Sequence, residues 1–212
     1  MVISEWWQRK NGSCAVKVKH KSQQGFTLLE SLVVIGIMGV LMAIAIMGSR
    51  NPMQTYRANA ALDVVSSQLR VAREIAITQR RWVQISINQV NNTVSYQVKA
   101  PNAIGTTELD GPIITMPLPQ QTSFMLEAGV PDTPMGFGNT SAVLINNLNG
   151  GPVGMAFTPT GAFTDNTYVN PINGTIFVGM VNQPTTARAV TILGSTGRVR
   201  PYTYLGNSNW VE

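Results

Sequence analysis

Hydrophobic patterning changes character twice along this chain, and each regime predicts a different element. From Phe26 to Ser49 apolar residues follow one another almost without a break, and no charged side chain lies between Ser31 and Ser49. At 1.5 Å per residue, a helix of that length matches a hydrocarbon core of roughly 30 Å. The run therefore predicts a membrane-spanning helix. From residue 50 to 81 apolar positions recur every three or four residues, at Ala58, Ala61, Leu62, Val65, Leu69, Ala72 and Ala76. That spacing continues the helix with one apolar stripe. Pro52, which removes a backbone donor, is expected to kink it or mark a weak joint.

At Trp82 the period becomes two. Val83, Ile85 and Ile87 alternate with polar residues, Asn91-Asn92 offers a turn, and Val94, Tyr96 and Val98 alternate again. This predicts a β-hairpin. Further strands are expected at 112–117, 122–127, 142–146, 153–158, 174–181 and 187–193, between turns rich in Gly, Pro and Asn. Segments 100–111, 129–141 and 164–173 are polar and read as irregular. The predicted architecture is α+β: a long amino-terminal helix packed by its second half on a mostly antiparallel sheet.

One residue breaks the apolar run. Glu30 places a carboxylate in the predicted span, where a charge costs about 2.5–3.5 kcal/mol on translocon-insertion scales. Such a group needs a partner.

Charge and composition narrow the picture. The formal net charge of +5 is concentrated at the start of the chain. Arg9, Lys10, Lys17, Lys19 and Lys21 stand against Glu5 there, so residues 26–212 keep 10 basic and 9 acidic side chains. A bulk basic balance thus says nothing about nucleic acid. It does orient the helix, since the basic side stays in the cytoplasm and everything after Ser49 lies outside. Cys14 and His20, the only cysteine and histidine, also lie before Phe26. Without them the rest of the chain has no disulfide, no Cys or His metal site and no Ser-His or Cys-His pair. Asp63 and Glu74 are eleven residues apart on one helix, three turns along the axis and too distant for joint acid/base work. An enzyme is not expected, nor a cofactor or metal.

The stretch Lys17, Lys19, His20, Lys21, Ser22-Gln23-Gln24-Gly25, Phe26-Thr27-Leu28-Leu29-Glu30 closely resembles the type IV prepilin signal. The resemblance implies a leader, residues 1–25, cut by prepilin peptidase between Gly25 and Phe26, with N-methylation of Phe26. It also implies a subunit of a filament in which the Phe26 ammonium of one copy pairs with Glu30 of its neighbour. Residues 1–16 exceed what such a leader needs; a start assigned too far upstream is the simplest account, an authentic long leader the alternative. The expected organisation is leader 1–25, assembly helix 26–49, amphipathic helix 50–81 and an extracytoplasmic β-rich domain 82–212. The implied location is the bacterial inner membrane, single-pass, with the carboxy-terminal domain periplasmic or extracellular.

The carboxy-terminal part is similar to GspH/FimT-type minor pilins and pseudopilins. The matching residues are Met155-Ala156-Phe157-Thr158-Pro159-Thr160-Gly161, Thr175-Ile176-Phe177-Val178, Ala189-Val190-Thr191-Ile192 and Gly197-Arg198-Val199-Arg200. Two functions follow from that resemblance. The chain is a structural subunit of a pilus or of a type II secretion pseudopilus, or it is a DNA-binding minor pilin of an uptake pilus, using Gly-Arg-x-Arg. For the second, Arg198, Arg200, Tyr202 and Tyr204 alternate, and in an extended segment they share one face able to pair phosphates and stack bases. Arg188 is a further candidate. Against it, Pro201 is expected to interrupt a regular strand, and Arg70, Arg73, Arg80 and Arg81 lie on the helix with no evident link to the tail.

Overall fold

The computed structural model describes residues 27–48, 50–99, 110–145, 148–149, 155–165 and 170–212. The expected leader with Gly25, the expected new terminus Phe26 and most of loop 100–111 lie outside the described residues. The chain forms two compact units, Met1–Met47 and Gly48–Glu212.

The first unit carries α1, Leu28–Gly48. The second begins with α2, Arg50–Gln79. Together they cover all but the ends of the helix expected over 26–81, and Ser49, which stands between them in sequence, lies outside the described residues. Pro52 lies within α2, and the residues on both sides of it are helical. At the other end α2 stops two residues earlier than the sequence pattern suggests. Arg80 takes the left-handed conformation with φ 52°, its N–H reaches the Ile77 carbonyl, and the Arg81 N–H reaches that of Ala76 at 3.1 Å. This is a Schellman cap in which arginine stands where glycine is usual.

Twelve strands follow among the described residues: β1 Val83–Asn88, β2 Thr93–Val98, β3 Ile114–Pro117, β4 Ser123–Phe124, β5 Val143–Ile145 and β6 Leu148–Asn149, then β7 Met155–Phe157, β8 Phe163–Thr164, β9 Gly174–Met180, β10 Gln183–Leu193, β11 Arg198–Gly206 and β12 Asn209–Val211. They form a sheet of order β3-β2-β1-β7-β8 and a larger one of order β12-β11-β10-β9-β5-β6, with β4 beside β9. The pairings between strands are antiparallel. The predicted hairpin is β1–β2, and Asn88 starts its turn by accepting the N–H groups of Val90 and Asn91 through Oδ1, each at 3.0 Å.

All seven residues of the predicted stripe on α2 are buried. All but Ala58 form one core with Val83, Ile85 and Val94 of the smaller sheet and Ile176, Val178, Val190, Ile192 and Val199 of the larger. Four of the seven are alanines, and a small side chain at each lets the helix backbone settle close to strands of both sheets. On the opposite face of the larger sheet lies a second cluster: Phe177, Ala187, Ala189, Tyr202, Tyr204 and Trp210 under Val130, with Leu126 and Met135 at its margin.

β11 was not expected as a regular strand, and Pro201 lies in its middle, paired with Val190. β12 joins β11 only from Thr203 onward. The preceding residues have an open side, where a missing donor is tolerated.

Leu69 is fully buried at the centre of the α2 stripe, so Leu69→Ala should destabilise the domain by about 2–5 kcal/mol. Arg80→Gly should stabilise it by about 1 kcal/mol by relieving the left-handed strain. Thermal unfolding of both variants checks the pair; a Leu69→Ala loss below the surface range of about 0.5 kcal/mol would contradict the packing.

Candidate assembly helix and arginine turn

Two places carry the sequence-predicted site residues. The first is the start of α1. Thr27 caps the helix: its Oγ1 accepts the Glu30 N–H at 3.3 Å and its carbonyl accepts the Ser31 N–H at 3.2 Å. Threonine at the cap with glutamate three residues on is the sequence pattern of a capping box. A carboxylate in the first turn is also favoured by the helix dipole. Beyond Glu30 the helix is apolar on all sides. Val33, Ile35, Ile37, Met38, Val40, Leu41 and Ile44 are each at least half exposed, with no polar face to turn toward water. Such a helix is suited to lipid or to other apolar helices. Among the residues with described side chains, which in α1 end at Ile44, no helix is long and apolar enough to cross a membrane.

The second place is the turn between β10 and β11. The Gly197 N–H returns to the Leu193 carbonyl at 2.7 Å, and Gly197 has φ +61°. A Cβ there would lie 2.0 Å from the Gly161 carbonyl oxygen and 3.1 Å from Arg73 Cδ. Gly161, at φ +85°, has Ile77 Cδ1 only 2.8 Å from the place of a Cβ. The β7–β8 and β10–β11 turns therefore touch backbone to backbone under the end of α2. Arg73 joins all three, because its Nε donates to the Gly161 carbonyl at 3.3 Å and to the Thr196 carbonyl at 3.1 Å. Both glycines of the matched carboxy-terminal segments are thus explained by packing.

This arrangement brings the helix arginines to the tail, which sequence reasoning did not find. Arg70, Arg73 and Glu74 of α2 and Thr196, Gly197, Arg198 and Val199 of the turn line one groove of about 480 Å³. Arg70 and Arg198 are exposed. Three guanidinium groups face one carboxylate there, so the groove favours an anion.

The remaining candidates differ from expectation. Arg198, Arg200, Tyr202 and Tyr204 do share a strand face, but that face is covered: Tyr202 and Tyr204 are buried in the second cluster, and Tyr204 packs on Trp210 with ring centroids 5.2 Å apart. They offer no surface for stacking bases. Arg188 is 2% exposed, and its guanidinium is spent on Asn59 Oδ1 at 2.8 Å and the carbonyls of Thr185 and Ala187. It faces the core because it alternates with Val190 and Ile192, and burial pushes its pKa down. Arg200 pairs with Glu212 at 3.4 Å; the Tyr202 side chain above all, with Glu212, holds its pKa above the ordinary value. Arg80 is exposed at the helix cap, and Arg81 is paired with Asp110 at 2.7 Å. Of the proposed nucleic-acid residues, Arg198 alone is exposed and has no ion pair among the described residues. No group of acidic, histidine or cysteine side chains able to hold a metal occurs among the described residues.

Comparison with known proteins adds the following. Residues 20–46 match the model of the prokaryotic N-terminal methylation motif. No curated protein matches the sequence. Similar solved structures include the minor pseudopilin EpsH of the type 2 secretion system of Vibrio cholerae, at 11% identity and TM-score 0.44, over 69% of this chain and 97% of that one. The type IV minor pilin FimU of Pseudomonas aeruginosa is similar at 16% identity and TM-score 0.45, over 72% and 90%.

Gly197→Ala should lower stability by about 2–3 kcal/mol, because it combines overpacking with a left-handed backbone. Arg198→Ala, next to it but exposed, should stay within about 0.5 kcal/mol of the parent. Denaturant unfolding of the two variants would reveal equal effects if the glycine served the groove and not the packing.

Proposed function

We propose that this chain is a minor pilin or pseudopilin, a filament subunit of a type IV pilus or a type II secretion pseudopilus. The observation that carries the reading is the N-terminal methylation motif over residues 20–46, placed on a helix that is apolar all round except for Glu30. Prepilin peptidase removes residues 1–25 on the cytoplasmic side, and Phe26 becomes the N-methylated amino terminus. α1 then anchors the subunit in the inner membrane, with the β-rich domain outside.

Glu30 supplies the reason to assemble. A carboxylate within an apolar layer is costly alone, and pairing with the Phe26 ammonium of a neighbouring subunit offsets that cost in the filament. The chain itself performs no chemistry; cleavage and methylation are done to it. Glu30→Val should therefore leave membrane insertion intact while depleting the subunit from sheared filaments. Recovery of the variant at the parental level, by immunoblot of filaments and membranes, would count against the reading, as would a filament subunit whose mass does not begin at Phe26.

A second reading, DNA capture by an uptake pilus, is favoured by one observation: Arg70 and Arg73 converge with Arg198 on a single groove. In that reading Arg198 and Arg70 contact phosphates, and Arg200, Tyr202, Tyr204 and Arg188 do not. Binding of a duplex by the processed chain should weaken with salt. Arg198→Ala should reduce the slope of log K against log salt by about one. An unchanged slope, or no binding by the parent chain, would dismiss it.

A further inference from the structure

A strand at the edge of a sheet carries backbone groups that pairing within the sheet leaves open, and the edges of this domain differ in how far they are blunted. The smaller sheet ends on one side in β8, a buried strand of two residues, and on the other in β3. β3 is exposed at all four of its positions, Ile114–Pro117. The larger sheet ends in β12, which buries Trp210, and in the two-residue β6. The stretch of β11 that β12 leaves open carries Arg198 and Arg200, and charge on an edge discourages pairing. β3 has no such guard. From Gly111 to Leu126 the chain contains no charged residue.

Register fixes what this edge presents. Ile114, Thr115, Met116 and Pro117 lie opposite Tyr96, Ser95, Val94 and Thr93, and the ladder continues with the Leu118 N–H donating to the Asn92 carbonyl at 2.8 Å. In an antiparallel pair, alternate residues exchange both backbone bonds with the neighbouring strand. Leu118, Met116 and Ile114 therefore direct their backbone groups at β2, whereas Thr115 and Pro117 direct theirs away from it. Pro117, which has no N–H, costs the β2 ladder nothing at an outward position. On the face shared with Val94 and Tyr96, Ile114 is 39% and Met116 43% exposed.

We propose that the β3 edge pairs with the β3 edge of a second copy of this chain, antiparallel and two-fold about Thr115. Self-complementarity selects the occupant. In that register each Thr115 N–H meets the Thr115 carbonyl of the other copy. Pro117 lies opposite Ile113, so the Pro117 carbonyl accepts the Ile113 N–H, and the proline leaves only the Ile113 carbonyl without a donor. Ile114 and Met116 become cross-strand neighbours and extend one apolar face across both copies. A two-fold axis sets like side chains near one another, so a charged edge would repel itself; the uncharged run from 111 to 126 removes that obstacle. Four residues a side bury far less than the roughly 1,200 Å² of a standard stable interface, which makes the pairing transient. It concerns the β-rich unit alone and does not rest on the filament reading above.

The test uses the full chain in detergent micelles, in a Cys14→Ser background that removes the one native cysteine. Cysteine is introduced at Thr115 or, as a control for chance encounters, at Val90 on the β1–β2 turn, which is 89% exposed. Disulfide-linked dimer is then followed under mild oxidation. Opposed residues that exchange backbone bonds have Cα atoms about 5.5 Å apart, within the span of a disulfide. Thr115→Cys should therefore cross-link about tenfold faster than Val90→Cys, because pairing raises the effective thiol concentration. Adding Met116→Lys places a charge on the edge at an exposed position; it should lower the rate at 115 to that at 90 and leave the unfolding temperature unchanged. Cross-linking at 115 no faster than at 90 would overturn the proposal, and so would a rate at 115 that the lysine does not change. Dimers held by the apolar α1 alone would show neither the preference for 115 nor the response to the lysine.

Discussion

The packing of α2 against both sheets is the constraint on which the rest depends. Ala58, Ala61, Ala72 and Ala76 have no side chain beyond Cβ to hold the helix away, and Leu62, Val65 and Leu69 fill the space between. Close approach brings backbone polar groups within reach of long side chains on the helix flanks, and those contacts fix the loops. Arg73 fastens two turns at one end, Asn59 meets Arg188 near the other, and Arg57 holds Gln121. Each would be lost if the helix stood even one methylene further out, since hydrogen bonds weaken steeply with distance and misalignment.

Much of this was legible because local pattern and tertiary role agree. The α2 stripe was read residue by residue from its spacing, and the β1–β2 hairpin from its alternation, since one buried face imposes one period. β11 was illegible for the opposite reason. Pro201 argues against a central strand, and only the short reach of β12 along β11 makes it harmless; that is a fact about a neighbour, which no local pattern contains. The two-residue strands β6 and β8 likewise exist because partners are present.

The candidate site divides along the same line. Arg188 carried a signal that was available: in the expected strand 187–193 it alternates with Val190 and Ile192, which assigns it to the core face. Tyr202 and Tyr204 carried none, because alternation assigns them to a common face but cannot say that Val130 and Met135 cover it. The convergence of Arg70 with Arg198 required the fold, for the two residues are separated by nearly the whole β-rich domain in sequence.

Glycine and arginine in the carboxy-terminal Gly-Arg-Val-Arg segment therefore answer to different demands. Gly197 is required by the contact of two turns beneath Arg73, whatever the domain binds. Arg200 is held by Glu212 and Val199 by the core. What packing leaves undetermined is Arg198, whose side chain is exposed at the groove. Packing thus fixes the shape of the turn and leaves Arg198 exposed beside Arg70 at the groove.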